Sequence, residues 1–211
     1  MSDQSAGTRT DEPSWSAYYR QTLGREPRPI FSRGLAAVEA AAVPPGQAIE
    51  IGFGDGTETL VLLDRGWNVT AIDPTPDAAE VLRRRVAPDA LERLTIVTAR
   101  AQEVDLPPFD LLYAGYAMPF IDAEAFSGFW AQVRAAIRPG GFIVANFFGT
   151  RDTWAGNPEM VFVERESVAD LVEGLDVLVF DEIEEDGGSF LGPKHWHTFD
   201  IVARAPSPAV R

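Results

Sequence analysis

Hydrophobic positions along the chain change period several times. Short apolar runs between turn residues stand at 47–51 (QAIEI), 67–72 (WNVTAI), 94–99 (LTIVTA), 110–115 (DLLYAG) and 141–148 (GFIVANFF), which are strand lengths and strand compositions. Between them the period lengthens. TETLVLLDRG reads as a helix ended by Gly66, and Thr75 with Pro76 opens another that runs to about Val86. After Asp122, one helical stripe carries Phe126, Phe129, Trp130, Val133 and Ile137, and RPGG at 138–141 closes it. Two helices occupy 14–43, the first with Trp15, Tyr18, Tyr19 and Leu23, the second with Phe31, Leu35 and Val38 before the stop at PPG. SVADLVEGL (167–175) is a short helix. DVLVFDEI (176–183) and HTFDIVARA (197–205) follow as strands with only a Gly- and Pro-rich connection, EEDGGSFLGPKHW, so they are read as antiparallel neighbours. The expected fold is α/β: a doubly wound, mostly parallel seven-stranded sheet with an antiparallel last strand. One domain spans 14–204, with loose tails at 1–13 and 205–211.

The passage from the first strand into its helix reads AIEIGFGDGTET, with Gly52, Gly54 and Gly56 spaced two apart. In a doubly wound sheet, ligands lie beyond the carboxyl ends of the strands. Glycine there adopts positive φ and lets a ligand approach the backbone. The second strand ends at Asp73, about 20 residues past the first glycine, where a carboxylate reaches both ribose hydroxyls of a nucleoside. A dinucleotide fingerprint requires G-x-G-x-x-G; here Thr57 stands at the third glycine. Glu50 would also oppose a diphosphate, and would favour an amino group or a sulfonium. The candidate ligands are therefore a zwitterionic amino-acid nucleoside first and a nicotinamide dinucleotide second.

Composition narrows the partners. The net charge of −14 disfavours nucleic acid. The absence of cysteine removes disulfides, thiolate zinc sites and cysteine nucleophiles. Neither a secretory leader nor a membrane-length apolar run is evident, so a cytoplasmic protein without a membrane partner is expected, as a monomer or homodimer.

With these residues in place, EIGFGDG, Asp73, ARAQEVDLP and DLLYAGYAMPF together resemble the class I S-adenosylmethionine-dependent methyltransferases. GREPRP, GWNVTAIDPTP, AMPF, FFGTRDTW and GPKHWHTFDIVAR look like the small-molecule branch near the tellurite-resistance and thiopurine methyltransferases. The resemblance implies an enzyme that uses S-adenosyl-L-methionine, yields S-adenosyl-L-homocysteine and methylates a small molecule. It implies Gly52, Gly54 and Gly56 against the methionine part and ribose, Glu50 orienting that loop, Asp73 on the ribose, and Pro74 near the adenine. Ala101 and Gln102 would border the adenine, Tyr113 and Ala114 would face the methionine portion, and Trp15 and Tyr19 would close over the cofactor. Phe53 departs from the small residue usual between the first two glycines. A nicotinamide-dependent oxidoreductase and a non-catalytic domain that only binds the nucleoside remain as alternatives.

Aromatic and titratable residues near the strand ends are the candidate acceptor lining: Tyr116, Met118 and Phe120 after the fourth strand, Phe147, Phe148, Arg151 and Trp154 after the fifth. Phe147 also suits an ordinary core position. His195 and His197 in KHWH are candidates for a general base or an acceptor-orienting group. Their H-x-H spacing puts both on one face of a strand, as a metal pair needs, but no third ligand is evident and no metal is expected. The other reading of the pair is structural: capping the strand or satisfying buried polar groups.

Overall fold

The computed structural model describes residues 15–207; the expected tail at 1–13 and the last residues of the expected C-terminal tail lie outside them. Helices α1 (Trp15–Thr22) and α2 (Pro29–Ala40) precede β1 (Gln47–Ile51). Strand and helix then alternate through α3 (Thr57–Asp64), β2 (Asn68–Ile72), α4 (Pro76–Arg85), β3 (Leu94–Val97), β4 (Phe109–Ala114), α5 (Ala123–Ala136) and β5 (Ile137–Gly149). A two-residue β6 (Phe162–Val163), α6 (Arg165–Leu171), β7 (Asp176–Ser189) and β8 (Gly192–Arg204) complete the order. The sheet runs β3-β2-β1-β4-β5-β8-β7, with β6 paired to β5 outside that path. β8 is antiparallel to both β5 and β7, and the other pairs are parallel. Strand order reverses beside β1, between β2 and β4, so the glycine turn sits at the switch point where such sheets bind ligands.

Side-chain alternation divides the core between the two faces of the sheet. Ile49, Leu112, Ile143, Phe147, Phe199 and Ile201 pack with Phe129, Trp130 and Val133 of α5. Ala48, Leu111, Phe142, Val144 and Val202 pack with Ile30, Phe31, Leu62 and Leu82 of the opposite helices. Both faces are therefore covered by helices, the expected doubly wound arrangement. An eighth, two-residue strand is added to the seven expected.

The larger difference lies in the β7–β8 ribbon. EEDGGSFLGPKHW is paired strand, not connection: the ladder continues from Ile183↔Thr198 through Asp186↔His195 to Ser189↔Gly192. The turn itself is only Phe190 and Leu191. At the other end, Ala205 is buried and exchanges backbone hydrogen bonds with Gly140 and Gly141, so the packed chain extends into the stretch read as a tail.

One glycine shows how tightly the ribbon seats on β5. A Cβ on Gly149 would lie 2.0 Å from Nδ1 of His197, whose ring is fully buried and whose Nδ1 accepts the Arg151 backbone N–H at 3.1 Å. Gly149→Ala should therefore lower unfolding free energy by about 2 kcal/mol, as overpacking does. Urea titration of the variant checks this value.

Candidate active site

The turn after β1 is built from left-handed backbone: φ is +70° at Gly52, +53° at Gly54 and +77° at Gly56. Phe53, between the first two, points away into the core and is 1% exposed, so its bulk does not narrow the crevice. Asp73 closes β2 and holds the turn from below. Its Oδ2 accepts the Gly54 N–H at 3.0 Å and the Tyr19 hydroxyl at 3.1 Å, while Oδ1 accepts the Thr75 N–H at 2.8 Å. Burial still outweighs these donors and raises the carboxyl above its ordinary value. The same burial, with Asp73 close by, pushes the Tyr19 phenol up as well.

Glu50 lies behind the turn, fully buried, and accepts from the Thr59 hydroxyl. Desolvation and the neighbouring Glu58 carboxylate lift its pKa well above the usual range. Glu58 is itself met by Arg25, at 2.6 and 2.5 Å for the two oxygens, and accepts the Arg28 backbone N–H at 2.9 Å. GREPRP is thus bolted to the start of α3, which fixes α1 above the crevice. Trp15 stacks on Tyr19 at 6.1 Å and meets Phe120 edge-on at 5.0 Å.

Beyond β3, Ala101 is buried, and the Gln102 Nε2 is enclosed without a partner. Pro74 is exposed at the end of β2. Ala114 lies on the α5 face of the sheet. Tyr113 lies on the other face, against Phe31 at 4.9 Å, with its hydroxyl buried and unpartnered.

The acceptor candidates divide sharply. Tyr116, Phe120 and Trp154 come together around Phe148: Tyr116 at 5.9 Å, Phe120 at 6.5 Å and Trp154 at 6.1 Å between ring centroids. Trp196 joins them, 5.7 Å from both Tyr116 and Phe148. Met118 and Phe147 are core residues on the α5 side. Arg151 leaves the site for the ribbon, with ion pairs of 2.7 Å to Glu182 and 3.0 Å to Glu184. His195 is on the ribbon too, 2.7 Å from Asp186 and 3.2 Å from Glu184. These two carboxylates raise its pKa. His197 is buried, with Nε2 3.0 Å from Glu182. Strand alternation explains the outcome: His195 and His197 share one face of β8, while Lys194 and Trp196 share the face that carries the aromatic cluster. Neither candidate base therefore shares the face of the aromatic cluster: His197 is buried and accepts the Arg151 N–H, and His195 stands half-exposed among ribbon carboxylates.

Two features escaped the sequence reading. Tyr116 adopts φ +58° without being glycine, a costly conformation that the surroundings must impose; its N–H donates to Asn146 Oδ1 at 3.3 Å. Lys194 is the other. Its ammonium is enclosed by Trp154 at 3.4 Å, Trp196 at 3.6 Å and Phe148 at 4.2 Å, and Asp152 Oδ1 is 2.9 Å away. The rings attract the cation, and Asp152 ties the 149–160 loop to β8. Burial nevertheless pulls the Lys194 pKa down to about 8. Below that value the folded state carries the full cost of the buried charge. The cost is relieved between pH 8 and the ordinary lysine range, because there only the unfolded chain holds the proton. Unfolding free energy should therefore rise over that interval relative to Lys194→Met, measured by urea titration at successive pH values.

Residues 48–141 match a family described as a methyltransferase domain. Among curated relatives, a mitochondrial ribosomal RNA small subunit methyltransferase of Arabidopsis thaliana is 36% identical over 72 residues, 34% of this chain and 19% of that protein. The chain spans between 19% and 53% of the length of the curated relatives it matches. TehB from Haemophilus influenzae superposes with a TM-score of 0.68 at 16% identity, over 90% of this chain and 67% of that one. NodS, an N-methyltransferase from Bradyrhizobium japonicum WM9 solved with S-adenosyl-L-homocysteine, gives 0.61 at 16% identity, over 89% and 98%. The sheet order, the glycine turn and these likenesses agree: the chain has the Rossmann-like methyltransferase fold, and its residues 48–141 match the model of a methyltransferase domain.

Proposed function

We propose that the protein transfers a methyl group from S-adenosylmethionine to a small-molecule acceptor by in-line displacement. The observation that carries this reading is the Asp73-anchored glycine turn with the Glu50 carboxyl buried behind it. The residues present fit the cofactor. A Cβ at Gly52, Gly54 or Gly56 would meet Ala117, Tyr19 or Leu82 at 2.7, 2.9 and 2.6 Å, so the positive-φ turn requires glycine; Asp73 closes β2 where it would meet the ribose, and the enclosed Gln102 amide lacks a partner where the adenine would lie. The acids Glu50, Asp55 and Glu58 around the turn suit a cationic amino-acid end and oppose a diphosphate.

S-adenosylmethionine supplies an already activated methyl group, so its leaving group is a neutral thioether. The protein's part is alignment and exclusion of water. α1 covers the crevice through Trp15 and Tyr19, and Tyr116, Phe120, Phe148 and Trp196 form an aromatic flank for the acceptor. A soft or already ionised acceptor needs no general base, which accords with histidines that stand on the ribbon. A ribosomal RNA acceptor, suggested by the names of two relatives, is disfavoured by the −14 charge. This reading includes a cytoplasmic setting.

Two measurements test it. In calorimetry, S-adenosylmethionine and S-adenosylhomocysteine should bind and NAD should not; Asp73→Ala should weaken both ligands by about 2 kcal/mol, roughly thirtyfold. Unchanged affinity removes the ribose assignment. Cofactor binding should also release protons, because a cation placed near Glu50 lowers its raised pKa. Calorimetry in buffers of different ionisation enthalpy measures that release, and Glu50→Gln should abolish it.

A further inference from the structure

We propose that Arg28 binds an anionic group on the methyl acceptor, so that the site selects acceptors bearing a negative charge. The inference rests on the methyltransferase reading above and adds the charge class of the substrate.

GREPRP contains two arginines three residues apart, and the structure uses them differently. Arg25 is consumed by Glu58 and Asp55. Arg28 gives its backbone N–H to the same Glu58, but its guanidinium turns to the acceptor end. There it lies 4.5 Å over the Tyr116 ring and donates to the neutral Tyr18 hydroxyl at 3.0 Å. Among the described residues no carboxylate forms an ion pair with it. A guanidinium has five N–H donors in a planar fork, so a half-buried one with a single phenol partner retains donors for an oxyanion, carboxylate or thiolate.

The surroundings hold it in this pose. Gly115 makes room for the side chain: a Cβ there would meet the Tyr113 hydroxyl at 2.0 Å and Arg28 Cδ at 3.3 Å. Tyr116, in its strained conformation, is fixed from behind by Asn146, whose amide donates to Asp200. The acids that act on Tyr116 from this side are Asp200 and Glu185. Asp200 is drawn toward its neutral form by burial and has Arg33 at 3.9 Å, while Glu185 is exposed. Neither cancels Arg28 at contact distance, and Lys194 behind Phe148 and Trp196 is paired with Asp152 at 2.9 Å, so it neither adds to nor opposes the Arg28 charge.

Benzoate and benzamide have nearly the same shape and differ in charge. Tryptophan fluorescence titration of the full chain, with and without S-adenosylhomocysteine, should show benzoate binding about tenfold tighter than benzamide. Arg28→Met should erase the difference and Arg28→Lys should keep part of it. Both variants should bind S-adenosylhomocysteine as the parent does, which shows that they are folded. Equal affinities for the two probes, no binding of benzoate, or an unchanged preference in Arg28→Met overturns the proposal. Failure of S-adenosylhomocysteine to bind the parent chain would instead strike the methyltransferase reading.

Discussion

Four carboxylates are buried around a single turn, and two of them, Asp55 and Glu58, share the Arg25 guanidinium as an ion pair. Glu50, Asp55, Glu58 and Asp73 are each at most 2% exposed. Buried charge is costly unless it is paired or hydrogen-bonded, and each acid solves the problem in its own way. Glu58 and Asp55 share Arg25. Asp73 takes two backbone N–H groups and a phenol. Glu50, left with the Thr59 hydroxyl, is driven toward its protonated form. The turn therefore holds a surplus of negative potential in a dry place. That surplus also organises the layer above, because Arg25 and the Arg28 backbone anchor the N-terminal segment to α3 through Glu58.

Strand positions, sheet type and the glycine turn were legible in the sequence because each leaves a local mark: apolar runs of strand length, glycines where φ must be positive, an acid at a strand end. The reversed last strand was legible too, since no helix separates the final two apolar runs. What escaped was decided by contacts between distant residues. A Gly- and Pro-rich stretch reads as loop, yet β7 and β8 continue pairing through it because Asp186 faces His195 and Glu184 faces His197 across the ladder. Lysine reads as surface, yet Trp154, Trp196 and Phe148 come from three separate places to enclose Lys194. KHWH drew attention to its histidines because imidazole titrates near neutrality. The pleat turned the neighbouring lysine and tryptophan toward the cluster instead. Arg25 and Arg28 have the same side chain and similar surroundings in sequence, and only the position of Glu58 separates their roles.

The crevice thus has two electrostatic halves. Under the glycine turn the surroundings are acidic; at the aromatic end Arg28 makes them cationic, the Lys194 charge there being met by Asp152. In the proposed reaction, an acceptor that carries negative charge and a donor that carries positive charge would each be drawn to a different half, and the two charges would cancel as the methyl group passes. Reactions that annihilate charge gain from a medium less polar than water, because the separated charges lose more solvation than the neutral products do. Phe148, 1% exposed and flanked by Tyr116, Phe120, Trp154 and Trp196, supplies that medium at the end of β5. The −14 charge of the chain and the proposed preference for an anionic acceptor are therefore compatible: the interaction is set by the groups within a few ångströms, where low dielectric preserves it, while charges beyond about 10 Å are screened by salt.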